Sequence, residues 1–243
     1  MEAYKELVTR EAEALLQSGI TQRLEEVQKL LVAEFQSRAI ADVRATSTTS
    51  MQQQLPTIQQ HPQLPALVGA VATHLEHALS DFQKLSQWIS LLVPKVADGN
   101  NFGVEVQLIV LKEIKDATDK LQKAWDSLPD YHSQRATAIE KLNDKRSKEK
   151  TVTTTVTEST GGKEGDEKKS VVSSVDKESS TSAAPVDDWI AQVVAIDVKW
   201  FYNLARTLEI VRDAYAIVYD RVEKNKDKIL RPRNQERAGY GMY

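Results

Sequence analysis

The longest helical pattern in the chain is the stretch WIAQVVAIDVKWFYNLARTLEIVRDAYAIVYDRV, residues 189–222. Its apolar residues recur at every third or fourth position, at Trp189, Val193, Ile196, Trp200, Leu204, Leu208, Val211, Tyr215, Val218 and Val222. This spacing places side chains on one face of an α-helix, whereas alternation would be typical of a strand. The stretch therefore predicts a long amphipathic helix over 186–230, between Pro185 and Pro232.

Two further amphipathic helices are predicted in the first half of the chain. The first covers 2–45 and contains Gly19, which costs about 1 kcal/mol relative to alanine in a helix interior and marks a bend or break. The second covers 65–94, because Pro65 suits the first turn of a helix. Pro94 ends it by disfavouring helical geometry at the preceding residue.

The third helix is predicted over 101–146, with Asn101 as the N-cap whose side chain accepts a backbone N–H. Pro129 interrupts its pattern, and we expect a kink there rather than a new domain. The apolar stripe before the kink consists of Val106, Ile109, Ile114, Ala117, Leu121, Ala124, Trp125 and Leu128. Four helical stretches without a strand pattern predict an all-α protein, a four-helix bundle of long antiparallel helices forming a single domain over 1–243.

Three segments outside the helices differ in composition. Residues 46–64 are rich in glutamine and proline and predict a linker. Residues 147–184 contain 15 Ser/Thr and 13 charged residues among 38, so they bury too little apolar surface to fold and predict a disordered insert. Antiparallel order places the 94–103 connection at the same end of the bundle as the tail 231–243, with the linker and the insert at the opposite end.

Composition excludes several classes of function. The chain has no cysteine, which removes disulfides, thiolate metal sites and cysteine nucleophiles. Its 32 Lys+Arg and 35 Asp+Glu give a formal net charge of -3, without the basic field that nucleic-acid binding requires. No apolar run is long enough to span a bilayer, and no apolar signal core follows Met1. We expect an intracellular protein without nucleic-acid or membrane partners.

Catalytic motifs are missing from the sequence. A di-metal bundle would need Glu-x-x-His pairs, and the residues three before His74 and His77 are Val71 and His74. The glycine-rich phosphate loops and the Gly-x-Ser-x-Gly elbow are also missing. We therefore predict neither an enzyme nor a metal or cofactor. A carboxylate metalloenzyme is kept as the lowest-ranked alternative.

Two segments are not required by helix packing. The first is VPKVADGNNFGV, residues 93–104, and the second runs from Leu230-Arg231-Pro232-Arg233 to Gly241-Met242-Tyr243. In order and spacing, both resemble the eleven-S (REG) proteasome-activator family. In that family an Asp-Gly-Asn-Asn-Phe-Gly string is the activation loop between helices two and three. A Pro-Arg pair follows the last helix, and the tail ends in an aromatic residue.

The resemblance implies a ring of bundles, a heptamer, that docks on the α-ring of the proteasome core particle and activates it without ATP. The implied activation loop, which would hold the gate of the core open, consists of Asp98, Gly99, Asn100, Asn101, Phe102 and Gly103. The implied docking residues are Arg231, Pro232, Arg233, Gly241, Met242 and Tyr243. The end of the chain is most similar to the homoheptameric, often nuclear branch, which favours a homoheptamer in the nucleus over one in the cytoplasm.

One departure from the family pattern affects the loop, because Ala97 stands where animal members are expected to carry an acidic residue. A second reading is therefore kept, in which the protein is a structural helical-bundle adaptor or scaffold without proteasome activity. The two readings differ in what they require of the chain end, since an adaptor that uses helix faces does not need Tyr243.

Overall fold

The structure, a computed structural model, describes residues 1–36, 38–54, 61–153 and 186–233. All regular secondary structure within these ranges is helical, which confirms the predicted all-α bundle. The helices are α1 (Glu2–Ala14), α2 (Ile20–Leu30), α3 (Ile40–Gln54), α4 (Leu64–Leu92), α5 (Phe102–Ser127), α6 (Asp130–Thr153), α7 (Val186–Lys224) and α8 (Lys226–Leu230).

The first predicted helix is divided into three parts. A π-helical turn, Leu15–Gly19, joins α1 to α2, and a second one, Leu31–Gln36, extends α2. A π-turn accommodates one extra residue per turn and commonly marks an irregularity in a helix. The irregularity predicted at Gly19 is thus present, as a widened turn that keeps the helix continuous.

The predicted boundary of the linker at 46–64 is wrong, because α3 continues to Gln54. The hydroxyl groups of Thr46 and Thr48 donate to the carbonyl oxygens four residues earlier, at 2.8 and 2.9 Å. These bonds satisfy the polar side chains inside the helix. Met51 and Ser47 are buried, and α3 packs against α7. Residues 55–60 of the predicted linker lie outside the described residues.

The third predicted helix consists of α5 and α6, separated by a turn at Leu128 and Pro129. The predicted interruption at Pro129 is present, and Leu128 and Tyr131 on either side of it are buried. The prediction that the disordered insert starts at residue 147 is wrong, since α6 continues to Thr153. Once nucleated, a helix adds one backbone hydrogen bond for each further residue, so it can continue past the end of its apolar stripe. The remainder of the insert, 154–184, lies outside the described residues.

The fourth predicted helix runs as α7 and then turns at Asn225 into the short helix α8. The Asn225 side-chain amide donates to the Arg221 carbonyl oxygen at 2.8 Å, and the Asn225 carbonyl oxygen accepts the Ile229 N–H at 2.9 Å. These bonds end α7 and start α8. The turn directs α8 against α5 and buries Ile229 completely.

The centre of the bundle is α7, which contacts α2, α3, α4, α5 and α6. The predicted stripe forms the core along α7: Val193, Trp200, Leu204, Leu208, Val211, Tyr215, Val218 and Val222 are buried, while Trp189 and Ile196 are partly buried. Each fully buried side chain of this size contributes about 1.5–3 kcal/mol of transfer free energy. The helix with the strongest sequence pattern therefore holds the other helices together.

Two buried carboxylates connect α7 to its neighbours. The Tyr215 hydroxyl donates to the Asp81 carboxylate at 2.8 Å. Asp197 accepts hydrogen bonds from Arg135 Nε at 3.0 Å and from the Tyr131 hydroxyl at 3.3 Å. Burial, and then the adjacent carboxylate, raise the pKa of both tyrosine hydroxyls. These polar contacts constrain which turns of the helices face each other, because a shift in register would leave a buried charge unpaired.

His61 caps the N-terminus of α4. Its Nδ1 atom accepts the backbone N–H groups of Gln63 and Leu64, at 3.2 and 3.1 Å. These N–H groups have no partner inside the helix. Burial, followed by the positive charge of Arg135, lowers the pKa of His61 from 6.5 to about 4. The imidazole is therefore neutral in the folded protein at neutral pH.

The chain after α8 packs directly on the first turn of α5. A Cβ atom at Gly103 would lie 2.5 Å from the Pro232 Cα and 2.6 Å from its carbonyl carbon, and would overlap the Pro232 carbonyl oxygen. Such contacts are impossible without moving one backbone away from the other. Gly103 is thus required by the close approach of two chain segments that are distant in sequence.

We predict that His61 makes stability depend on pH between about 6.5 and about 4. In that range the unfolded chain binds a proton that the folded chain does not bind, so the free energy of unfolding falls by about 3 kcal/mol as the pH is lowered. In a His61→Asn variant, the amide oxygen can replace Nδ1 as the acceptor without titrating. Urea unfolding at about pH 7 and about pH 4.5 measures the difference. Equal losses of stability in both proteins would contradict the assignment.

We predict that Gly103→Ala lowers the free energy of unfolding by about 1–3 kcal/mol, because the new methyl group displaces the Pro232 backbone. Gly69→Ala is the matched control, since a Cβ atom there meets nothing within 4 Å on an exposed face of α4. That control should gain about 1 kcal/mol from the better helix propensity of alanine. Thermal or urea unfolding distinguishes the two, and equal effects would rule out the tight contact.

Candidate functional site

The connection between α4 and α5, residues 93–101, projects from one end of the bundle. Pro94 holds Val93 in an extended conformation, with φ -64° and ψ 121°, which ends α4. Residues 95–100 are exposed, and Val96 is fully so. Gly99 has φ +116°, a value that side-chain-bearing residues rarely adopt. The loop is therefore short, turned sharply at Gly99 and open to a partner.

Asn100 and Asn101 form the end of this loop. The Asn100 side-chain oxygen accepts the Phe102 N–H at 3.0 Å, an Asx turn that satisfies the first N–H group of α5. Asn101 occupies the predicted N-cap position, but its side chain makes no capping bond, so this part of the prediction is wrong. Its amide nitrogen donates to the Ala97 carbonyl oxygen at 3.4 Å. The capping role thus belongs to Asn100.

The side-chain oxygen of Asn101 is used by the other end of the chain. Arg233 Nη2 donates to it at 3.1 Å, across 132 residues of sequence. A guanidinium donor makes this a charge-assisted hydrogen bond. Together with the contact between Gly103 and Pro232, it confirms the expected proximity of 94–103 to the C-terminal segment, as far as Arg233. Gly241, Met242 and Tyr243 lie outside the described residues.

The predicted loop residues differ in what they present at the surface. Asp98, Gly99, Asn100 and Phe102 are exposed, Asn101 is partly buried and Gly103 is buried. Lys228 of α8 places its ammonium group 5.9 Å from the centre of the Phe102 ring, within cation–π distance. Gly103 therefore acts inside the protein, whereas the other loop residues are available to a partner.

The sequence analysis missed Gln107, which is completely buried on α5. Its side-chain amide nitrogen donates to the Ile229 carbonyl oxygen at 2.7 Å and to the Leu92 carbonyl oxygen at 3.3 Å. The sequence does contain a sign of this residue's role, because Gln107 is a polar residue four positions after Gly103 and on the same face of the helix. Apolar periodicity alone does not reveal such a residue, because it counts only apolar positions.

Ser47 and His61 are the next candidates for reactive groups. Ser47 and His61 lie close together, with Oγ and Nε2 3.4 Å apart. Because His61 Nδ1 accepts two N–H groups, its proton sits on Nε2, so the ring donates toward Ser47 and cannot act as a base for it. In the described ranges, no group of three or more His, Asp or Glu residues could hold a metal ion.

The two histidines on α4 stand apart from any such group. The Nδ1 atoms of His74 and His77 are buried and make no hydrogen bond. Burial also lowers the pKa of His74.

The helices within the described ranges include no candidate for a membrane-spanning segment.

Comparison with known sequences identifies one family. The family model "Proteasome activator PA28, C-terminal" matches residues 57–159 and 149–239. Proteasome activator complex subunit 3 of Homo sapiens and that of Gallus gallus are each 22% identical over 177 residues, 73% of this chain. The aligned region covers 55% of these relatives, so the chain spans about half the length of the curated relatives it matches.

Solved structures of activators have the same fold. The 11S subunit of the Plasmodium falciparum proteasome, PA28, is 20% identical, with a TM-score of 0.68 over 96% of this chain and 92% of that one. The mutated P26 activator in complex with an archaeal 20S proteasome is 14% identical, with a TM-score of 0.61 over 97% and 94% of the two chains. The family match covers most of the chain, including both the α4–α5 loop and the segment after α8, and the chain belongs to the PA28 proteasome-activator family.

Proposed function

We propose that this protein is a non-enzymatic activator of the proteasome core particle, which stimulates peptide hydrolysis without ATP. The observation that carries the proposal is that the α4–α5 loop and the segment after α8 lie at one end of the bundle, joined by Arg233 and Asn101. An activator needs to bind and to open the gate at the same surface. Two similar structures are complexes of an activator with a proteasome, which supports this partner.

The loop is suited to pressing on the gate of the α-ring. Its two ends are fixed to the ends of α4 and α5, and the Asx turn at Asn100 restrains its tip. A restrained loop loses little conformational entropy on contact, so binding energy is available to displace the gate. The proposed contact residues are Asp98, Gly99, Asn100, Asn101 and Phe102, with Gly103 supporting them from inside.

The segment from Arg231 onward is proposed to dock between α-subunits. Arg231 is exposed, and Arg233 is partly buried. By resemblance, the docking contact includes Gly241, Met242 and Tyr243. A single short segment contributing about 4 kcal/mol would bind only in the millimolar range. Several copies held on one ring increase the affinity by 10²–10⁴, roughly, through effective concentration.

Assembly into a ring, as a homoheptamer, is therefore part of the proposal. The outer faces of α5 and α7 carry large apolar side chains that the described residues leave exposed. Leu108 and Ile109 on α5 and Ile210 and Ile217 on α7 are each exposed by 38–59%. Burying such side chains between neighbouring copies favours association, at roughly 25 cal/mol per Å² of apolar surface removed from water.

The proposal includes neither a catalytic residue nor a cofactor. The contact between Ser47 and His61 supports this, because the proton of His61 lies on Nε2, the nitrogen that faces the serine, so the ring cannot act as a base toward it. We further propose that the protein acts inside the cell, and the preference for the nucleus over the cytoplasm stays a prediction from the Gly241–Tyr243 resemblance.

Hydrolysis of a fluorogenic peptide by latent core particle of the same organism tests the proposal. The parent protein should stimulate hydrolysis. Gly99→Val forces the loop out of its positive-φ turn, so it should bind the core but lose stimulation by roughly tenfold. A variant without Tyr243 should lose binding itself. Gly69→Val, on an exposed face of α4 with open space around it, is the matched control and should behave as the parent.

The result that contradicts the proposal is an assembled ring that neither binds nor stimulates the core. That result would favour the structural adaptor, which uses helix faces and does not depend on Gly99 or Tyr243. Stimulation by Gly99→Val equal to that by Gly69→Val and the parent would remove the loop from the mechanism.

A further inference from the structure

Gln107 joins the two segments of the proposed site from inside the protein. Its side-chain nitrogen bonds to the carbonyl oxygen of Leu92, the last residue of α4, and to that of Ile229, in the last turn of α8. The α4–α5 loop begins immediately after Leu92, and the C-terminal segment begins two residues after Ile229. Gln107 itself lies on α5, where the loop ends. One side chain thus contacts the end of α4, where the loop begins, and the last turn of α8, from a position five residues into α5.

Both hydrogens of the Gln107 amide are used in this arrangement. Each bond goes to a carbonyl oxygen, so the nitrogen must face them, and a flipped amide would bring oxygen against oxygen. The two carbonyl groups lie in the last turns of their helices, where no backbone N–H of the same helix is available to donate to them. The amide oxygen of Gln107 is buried without a hydrogen-bond partner among the described residues. The residue is therefore placed for its two donor bonds.

An apolar residue would be the simpler choice at this position. Gln107 is 0% exposed and lies between buried Gly103 and Val110 on one face of α5. A methionine or leucine would fill similar space without burying an amide, but would leave two carbonyl oxygens unpaired. Core packing alone does not account for a glutamine there, whereas a need to hold two helix ends together does.

We propose that Gln107 is a positioning residue, which fixes the loop relative to the C-terminal segment so that docking of that segment places the loop on the gate. This inference rests on the proposed function for its final step, gate opening. The contact between Gly103 and Pro232 and the bond between Asn101 and Arg233 act on the same two segments. Gln107 cannot touch the core particle, because it has no exposed surface.

The coupling has a direct physical consequence. When the C-terminal segment is held by a partner, force on Arg231–Arg233 is transmitted through the Ile229 carbonyl to Gln107, and from there to the end of α4. Without the two bonds, α8 and the start of the loop are joined only by the Gly103–Pro232 contact and the Asn101–Arg233 bond, so each moves more freely relative to the other. The loop then reaches the gate only part of the time, and stimulation falls even though the docking contacts are unchanged.

Hydrogen exchange of the assembled protein alone tests the coupling without any core particle. In Gln107→Met, the donor bonds are removed at similar volume. Exchange in the peptides covering residues 93–104 and 226–233 should become roughly threefold to tenfold faster, as expected for the loss of a hydrogen bond. Gln122→Met is the matched control, because Gln122 is exposed on the same helix and bonds to Asp126 one turn away on that helix. It should leave both peptides unchanged.

Arg233→Ala is a second variant, which gives an independent measurement of the coupling if Gln107→Met does not fold. It removes a partly exposed side chain, so the bundle should fold, and exchange in residues 97–104 should again become roughly threefold to tenfold faster. Arg206→Ala on α7 is its control, since Arg206 is exposed and its ion pair is with Glu209 on the same helix. Unchanged exchange of the loop in both Gln107→Met and Arg233→Ala would overturn the proposal.

Peptide hydrolysis then tests the final step. Gln107→Met should bind the core with an unchanged dissociation constant and stimulate hydrolysis roughly tenfold less, whereas Gln122→Met should match the parent. Full stimulation by Gln107→Met, with faster loop exchange, would overturn the positioning role. If the parent itself fails to stimulate, the proposed function is wrong, while the exchange result still decides whether Gln107 couples the two segments.

Discussion

The close approach of the chain after α8 to the first turn of α5 is the constraint on which the functional end of the molecule depends. There is no room for a Cβ atom at Gly103, because the Pro232 backbone occupies its place. This contact directs the C-terminal segment past the α4–α5 loop. Arg233 then reaches Asn101, and the buried Gln107 joins the helix ends beneath them. A C-terminal segment and a loop that are more than a hundred residues apart in sequence thereby become one surface.

The rest of the bundle supplies the rigidity that this surface requires. The helix α7 runs through the centre and packs against α2, α3, α4, α5 and α6. Buried pairs such as Tyr215 with Asp81 and Arg135 with Asp197 constrain the register of α7 against α4 and α6. At the opposite end, His61 holds the start of α4 through two backbone hydrogen bonds. A displacement of one end of α4 is thus resisted along the whole helix.

Much of the fold could be predicted from the sequence because helix periodicity is strong in α7 and the prolines mark helix ends. The end of α3 could not be predicted. Threonines are typical of a linker, but here their hydroxyl groups donate to carbonyl oxygens of the helix itself. The stripe predicted on α5 is wrong at Ile109, which is exposed, because the adjacent Val110 is the residue that is buried. The loop was predicted from its motif. The contacts of Gly103, Asn101 and Gln107 depend on a distant segment, which local patterns do not encode.

The most direct test of the claim that this end of the bundle is the docking surface is an electron cryomicroscopy map of the protein mixed with proteasome core particle of the same organism. The predicted result is a ring of bundles seated on the α-ring, with Asp98–Phe102 and the segment from Arg231 onward facing the core. A map in which the end carrying Met51 and His61 faces the core, or in which the helix sides make the contact, would contradict it.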